Sequence, residues 1–206
     1  MTLNKKQLAV GSGVLIALAV ILGLGAMLLY QVRYVHSESA FIGKAAALFG
    51  MDMAKVDGKN VPYSEYLTHA SAERTFLNSP MAKQDGSTGA FGKTEEKQAF
   101  DRALRVAAVD ALARENNLTL TSKDVDAAFE QLLTQTTSSS NPGEVDAFLR
   151  EQFGWSTEEF KHYVLRPAII EETLASKLND QTGKATGFQD ALTEILDKKT
   201  ERYLKF

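Results

Sequence analysis

A chain of 206 residues, 44% apolar and 24% charged, is long enough for one domain with an attached segment, or for two small domains. Formal net charge is −3, and Lys5 and Lys6 contribute +2 of it, so residues 31–206 carry −5. An acidic body argues against nucleic-acid binding, which needs a basic face, and the lack of cysteine excludes disulfides, thiol catalysis and thiolate metal sites.

Residues 8–30 contain no charged side chain. At about 1.5 Å per residue they reach roughly 34 Å, enough to cross a bilayer core of about 30 Å. Lys5 and Lys6 precede this run and Arg33 is the only cation close behind it. That asymmetry predicts a single-pass cell-membrane protein with residues 1–7 cytoplasmic, residues 8–30 as a transmembrane helix and the body extracytoplasmic. The run is longer than a signal-peptide core, and Met27, Leu28, Leu29 and Tyr30 end it where a cleaved leader has small residues. The expectation is therefore an uncleaved anchor. Ala9, Gly13 and Ala17 recur every four residues, as do Ala19 and Gly23. This spacing suits a homodimer through the transmembrane helix, although such residues are more often merely small members of an anchor. Residues 31–53 form a juxtamembrane segment that reads either as a helix beside the membrane or as a stalk.

The body is expected over residues 54–206. Asp57-Gly58 marks a tight turn between two very short strands. Tyr63, Tyr66, Leu67, Ala70 and Leu77 then follow helical spacing, with His69 off that stripe and expected in solvent. Residues 79–93, with Pro80 and glycines 86, 89 and 92, read as a flexible loop. No G-K-[ST] ending makes these glycines a phosphate cradle. A long helix follows, with Thr94 as its expected cap and Phe100, Ala103, Leu104, Ala107, Ala111 and Leu112 as its buried stripe. Asn116 and Asn117 mark its end.

Residues 121–178 hold three more helices, each with a start signal. Thr121 precedes Asp124, Asn141 precedes Pro142 and Glu144, and Ser156 precedes Glu159. A serine-rich loop at 137–141 separates the first two, and Gly154 suits the stop of the second. Pro167 lies inside the third pattern, where it removes a hydrogen bond and bends the axis. Residues 179–187 interrupt the pattern. A last helix is expected over 185–206, with Phe188, Ala191, Leu192, Ile195, Leu196 and Tyr203 on or near one face.

The stretch T-S-K-D-V-D, the later F-G-W-S-T-E-E-F and the Arg166-Pro167 pair, in this order, resemble the N-terminal domain of SurA-type chaperones, a group that includes the membrane-anchored PpiD-like foldases. Val56, Gly58 and Val61 match the short motif that opens that domain. The resemblance implies a mainly α fold: a transmembrane helix, then a SurA N-terminal-like helical domain with a very short β-hairpin and a C-terminal closing helix. It also implies that the parvulin-type isomerase domain of the larger members is absent here.

No catalytic constellation is legible. His36, His69 and His162 stand in unrelated contexts, and neither H-E-x-x-H nor G-x-S-x-G occurs. The sequence calls for no cofactor and no metal. Three classes stay open: a chaperone holding unfolded or newly exported polypeptides, an adaptor docking one folded partner, and a prolyl-isomerase-related enzyme with an unrecognised site. The candidate polypeptide-binding residues are Phe129, Leu133, Phe148, Phe153, Trp155, Phe160 and Tyr163; the six aromatics among them exceed what a small tight core needs. Trp155, just after Gly154, reads either as a plug under a tight turn or as a binding-surface aromatic.

Overall fold

In a computed structural model, residues 23–87, 89–136 and 142–206 are described. Most of the charge-free run, including Ala9, Gly13, Ala17 and Ala19, lies outside them, as do Lys5, Lys6, the serine-rich loop and Asn141. Residues 23–30 are helical. Among the described residues, no helix is long and apolar enough to cross a membrane.

The Asp57-Gly58 turn forms as its sequence predicts. Both residues take positive φ, 47° and 77°, and antiparallel strands β1 (Asp52–Val56) and β2 (Lys59–Pro62) flank them. A third strand, β3 (Thr200–Arg202), pairs antiparallel with the other edge of β1, giving the order β2-β1-β3. This corrects the expected helix over residues 185–206. The helix, α9 (Gly187–Lys198), stops at Lys198, and Tyr203 lies beyond the strand rather than on a helical face. The open edge of β1 supplies partners for the last backbone groups, and Tyr203 N–H donates to Met53 O at 3.0 Å.

Upstream of the hairpin, residues 23–30 pass into a π-helical turn (Gln31–Val35). His36 then reverses the chain at φ 51°. Ser39 caps α1 (Ala40–Leu48) by accepting from Ile42 N–H at 3.4 Å. The segment 31–53 is docked on the body. Val32, Ala46 and Met53 join the main core, Tyr63 OH donates to Ser37 O at 3.1 Å, and Arg74 pairs with Glu38 at 2.8 Å. Lys205 N–H donates to Arg33 O at 2.9 Å, joining the two ends of the described chain.

From Pro62 the chain enters α2 (Tyr63–Asn78). The expected loop at 79–93 begins instead with a short helix, α3 (Pro80–Asp85). Ser79 Oγ accepts from Ala82 N–H, Pro80 occupies the first turn, and Gly86 closes it at φ 72°. The same Ser-Pro…Gly signals that read as a loop are here a start and a stop. The central helix α4 (Lys93–Glu115) begins two residues earlier than expected. Its N-cap is Gly92, whose N–H donates to the Glu95 carboxylate at 2.9 Å, so Thr94 is not the cap. Its end follows expectation: Asn117 takes φ 54°, and Leu118 N–H reaches back to Ala113 O at 2.8 Å.

After α4 come α5 (Ser122–Thr136), capped by reciprocal Thr121–Asp124 bonds, and α6 (Pro142–Phe153). The start at Ser156 is a capping box with Glu159 and opens α7 (Thr157–Phe160). A π-helical turn (Lys161–Leu165) then leads into α8 (Arg166–Thr182). Junction residues Phe160, Leu165 and Arg166 are all right-handed helical, so the helix passes Pro167 without a break. The Arg166 N–H bonds to Lys161 O, a wider loop than the α pattern, one residue before the proline that has no N–H.

The main core lies between the sheet, α2, α4, α8 and α9. Met53, Val56, Tyr63, Tyr66, Leu104, Val109, Ile170, Leu174 and Ile195 are fully buried there. Buried alanines 99, 103, 108 and 111 let α4 neighbours approach closely. Gly187 permits a similar approach: a Cβ there would stand 2.6 Å from Leu178 O.

Candidate functional site

Helix α2 carries two stripes. Tyr63, Tyr66 and Ala70 face the core, whereas His69, Ala72 and Phe76, spaced i, i+3 and i+7, face an open groove. Opposite them stand Phe153 at the end of α6, then Trp155, Phe160 and Tyr163. Arg102, Arg105 and Val106 of α4 and Pro167, Ala168 and Glu171 of α8 close the sides. The hollow measures about 610 Å³.

Local sequence places the aromatic wall. Gly154 takes φ 72°, and its N–H closes α6 on Arg150 O at 3.0 Å. A Cβ at Gly154 would stand 3.3 Å from Thr75 Oγ1, so the turn sits close against α2. Trp155 is thereby turned toward α2 and α8. Asp146 ties the next helix down, accepting from the Thr157 N–H at 2.8 Å. The rings then form a continuous run. Phe76 stacks on Phe153 with centroids 5.6 Å apart, Phe153 on Trp155 at 6.1 Å, and Trp155 lies 6.0 Å from Tyr163. His69 meets Tyr163 edge-on at 5.6 Å and Trp155 at 6.2 Å.

Contrary to the expected solvent position, His69 is buried. Desolvation, with the Arg102 guanidinium adding to it, pushes its imidazole down to about 4, so it stays neutral near pH 7. Charged groups at the groove are paired. Arg102 bonds Glu73, and Arg105 grips Glu171 through two bonds of 2.9 and 2.6 Å. The groove thus offers flat apolar rings with two paired arginines of α4 along one side. Such a surface takes apolar or aromatic side chains in the middle and leaves polar groups at the rim.

Four of the seven sequence-derived residues, Phe153, Trp155, Phe160 and Tyr163, line this groove. Phe129 is buried behind it, 6.3 Å from the Phe160 ring and beneath Lys161 Nζ at 4.9 Å. Half-buried Leu133 and exposed Phe148 do not line it. Trp155 is half-buried on the groove wall, packed against His69, Phe153 and Tyr163. His69, Phe76 and the arginines escaped the sequence reading, although the 69–72–76 spacing was a usable signal.

A smaller hollow of about 180 Å³ lies between α2, α4 and the π turn, beside His162, Glu65, Asp110 and Arg166. There Arg166 bonds Asp110 at 2.8 Å, joining α4 to α8, and burial raises the Glu65 carboxyl. Among the described residues, no group of three or more His, Asp or Glu side chains is placed to hold a metal ion.

No protein-family model matches this sequence, and no curated protein or solved structure matches it. What the fold itself defines is a mainly helical protein with a small three-stranded sheet and an aromatic groove on one flank.

Proposed function

We propose that this chain is a membrane-anchored, extracytoplasmic chaperone that holds apolar segments of unfolded or newly exported polypeptides, without a catalytic site of its own. The observation that carries this reading is the groove of about 610 Å³ walled by Phe76, Phe153, Trp155, Phe160 and Tyr163. Half-buried aromatic rings facing an open groove without a fixed polar pattern favour many apolar segments over one shaped ligand. Two of the sequence elements resembling SurA-type chaperones, F-G-W-S-T-E-E-F and Arg166-Pro167, supply part of the groove's lining. The −5 charge of residues 31–206 keeps a loaded complex soluble.

The test adds the full chain in lipid nanodiscs to chemically unfolded, aggregation-prone proteins and follows light scattering without ATP. Near-equimolar chain is expected to suppress aggregation of several unrelated clients. Trp155→Ala weakens that suppression severalfold, and Phe148→Ala, off the groove, leaves it unchanged. No suppression for any client, together with tight binding to one folded partner, overturns the reading in favour of an adaptor.

A further inference from the structure

Fourteen large apolar side chains are exposed among the described residues, and nine of them fall between residues 24 and 49. They are not scattered. Residues 24–33 and α1 form the two walls of an apolar hollow of about 880 Å³, larger than the aromatic groove. Phe41 and Leu48, seven residues apart on α1, are 77% and 82% exposed, and Phe49 is 69% exposed. Ala46 on the same helix is turned into the body and buried. Water-exposed apolar surface concentrated in this way marks a contact that the described chain does not itself make.

We propose that this face rests on the surface of a lipid bilayer, so that α1 is a second, interfacial membrane contact beside the anchor. The proposal rests on the membrane reading above and goes beyond it, because it fixes how the body sits.

Three observations select lipid as the occupant. The first is continuity: the charge-free run that begins at Leu8 ends in Leu24, Met27 and Tyr30, which are themselves part of the face. The second is the aromatic content at the end of that run. Tyr30 and Tyr34 are both exposed and stack 5.6 Å apart, where amphipathic rings favour the headgroup level. The third is charge. Between residues 24 and 49 the only charged side chains are Arg33, Glu38 and Lys44. Glu38 is held by Arg74 of the body at 2.8 Å, whereas Arg33 and Lys44 are exposed cations on an otherwise acidic chain. An apolar helix with a few cations at its margin lies in the interface of an anionic membrane.

The cysteine-free sequence allows a direct test. Full-length single-cysteine variants Leu48→Cys, Ile16→Cys and Ser176→Cys are labelled with an environment-sensitive fluorophore and reconstituted into phosphatidylethanolamine–phosphatidylglycerol vesicles. Spin-labelled lipids then report contact by quenching. The label at Leu48 is expected to shift to the blue and lose most of its fluorescence to a quencher near the headgroups, while the label at Ser176 does neither. If Ile16 is quenched and Leu48 behaves like Ser176, the anchor stands and the interfacial face is overturned. A blue shift at Leu48 without quenching also overturns it, since protein, either a second copy or residues 1–22, then covers the face. Quenching at Leu48 but not at Ile16 keeps the face and removes the anchor, and quenching at neither removes both.

Discussion

The main core and the aromatic groove differ in how completely their side chains are covered. In the core, Met53, Leu104, Val109, Ile170, Leu174 and Ile195 are enclosed on every side by the sheet, α2, α4, α8 and α9. Along the groove, Phe153, Trp155, Phe160 and Tyr163 are stacked on each other and on α2 but only partly covered. Core rings such as Tyr63, Tyr66 and Phe188 are covered together with the aliphatic side chains, whereas the groove rings keep part of their faces open. The difference teaches that enclosed packing and an open aromatic surface are placed in separate residues, joined by the shared helix α2; under the proposed function these carry stability and client binding respectively. Its Tyr66 side serves one region and its His69 side the other.

The sharpest way to break this division is through the core. Ile195→Ala removes a fully buried side chain from α9 and should cost about 2–5 kcal/mol in denaturant unfolding. Client binding measured where the variant remains folded should be unchanged. A loss of binding in proportion to stability would erase the distinction between the regions.

The next effect comes from His69, at the boundary. Its folded pKa, about 4, lies below the ordinary value of 6.5, so the unfolded chain takes up a proton first as pH falls. Its contribution is complete above about pH 6.5, is lost as pH falls toward 4, and is level below that. The loss is about 3 kcal/mol at most for a shift of this size. His69→Leu should flatten this part of the stability–pH curve relative to the parent, read by unfolding at pH 7, 5.5 and 4. Parallel curves for the two proteins would show that the imidazole is not held neutral.

The smallest effect belongs to the rim. The Arg105 side chain is 41% exposed despite its two bonds to Glu171. Solvent screens such a pair, and Arg105→Ala should cost less than about 1 kcal/mol. Its influence on client affinity should likewise be small next to that of Trp155→Ala. A rim substitution that abolished client binding would place recognition in the ion pairs instead of the rings.

Sequence alone determined what depends on neighbouring residues. The Asp57-Gly58 hairpin, the Thr121 and Ser156 helix starts, the Gly154 and Asn117 stops and the passage through Pro167 all follow from hydrogen bonds within a few residues. The helical stripes were legible for the same reason, since periodicity is local. Two local signals misled. Ser79-Pro80 looked like a loop because start signals and turn signals use the same residues, and Thr94 looked like a cap where Gly92 and Glu95 do that work.

Only the tertiary structure decided the rest. Residues 200–202 become a strand because the edge of β1, distant in sequence, offers unpaired backbone groups. His69 is buried because Trp155 and Tyr163, some ninety residues onward, close over it. Phe129 and Phe153 look alike in their helical stripes, yet one is covered and the other faces the groove. An amphipathic pattern fixes which side of a helix is apolar. What that side meets is settled by how the helices cross, and crossing is a property of the whole packed chain.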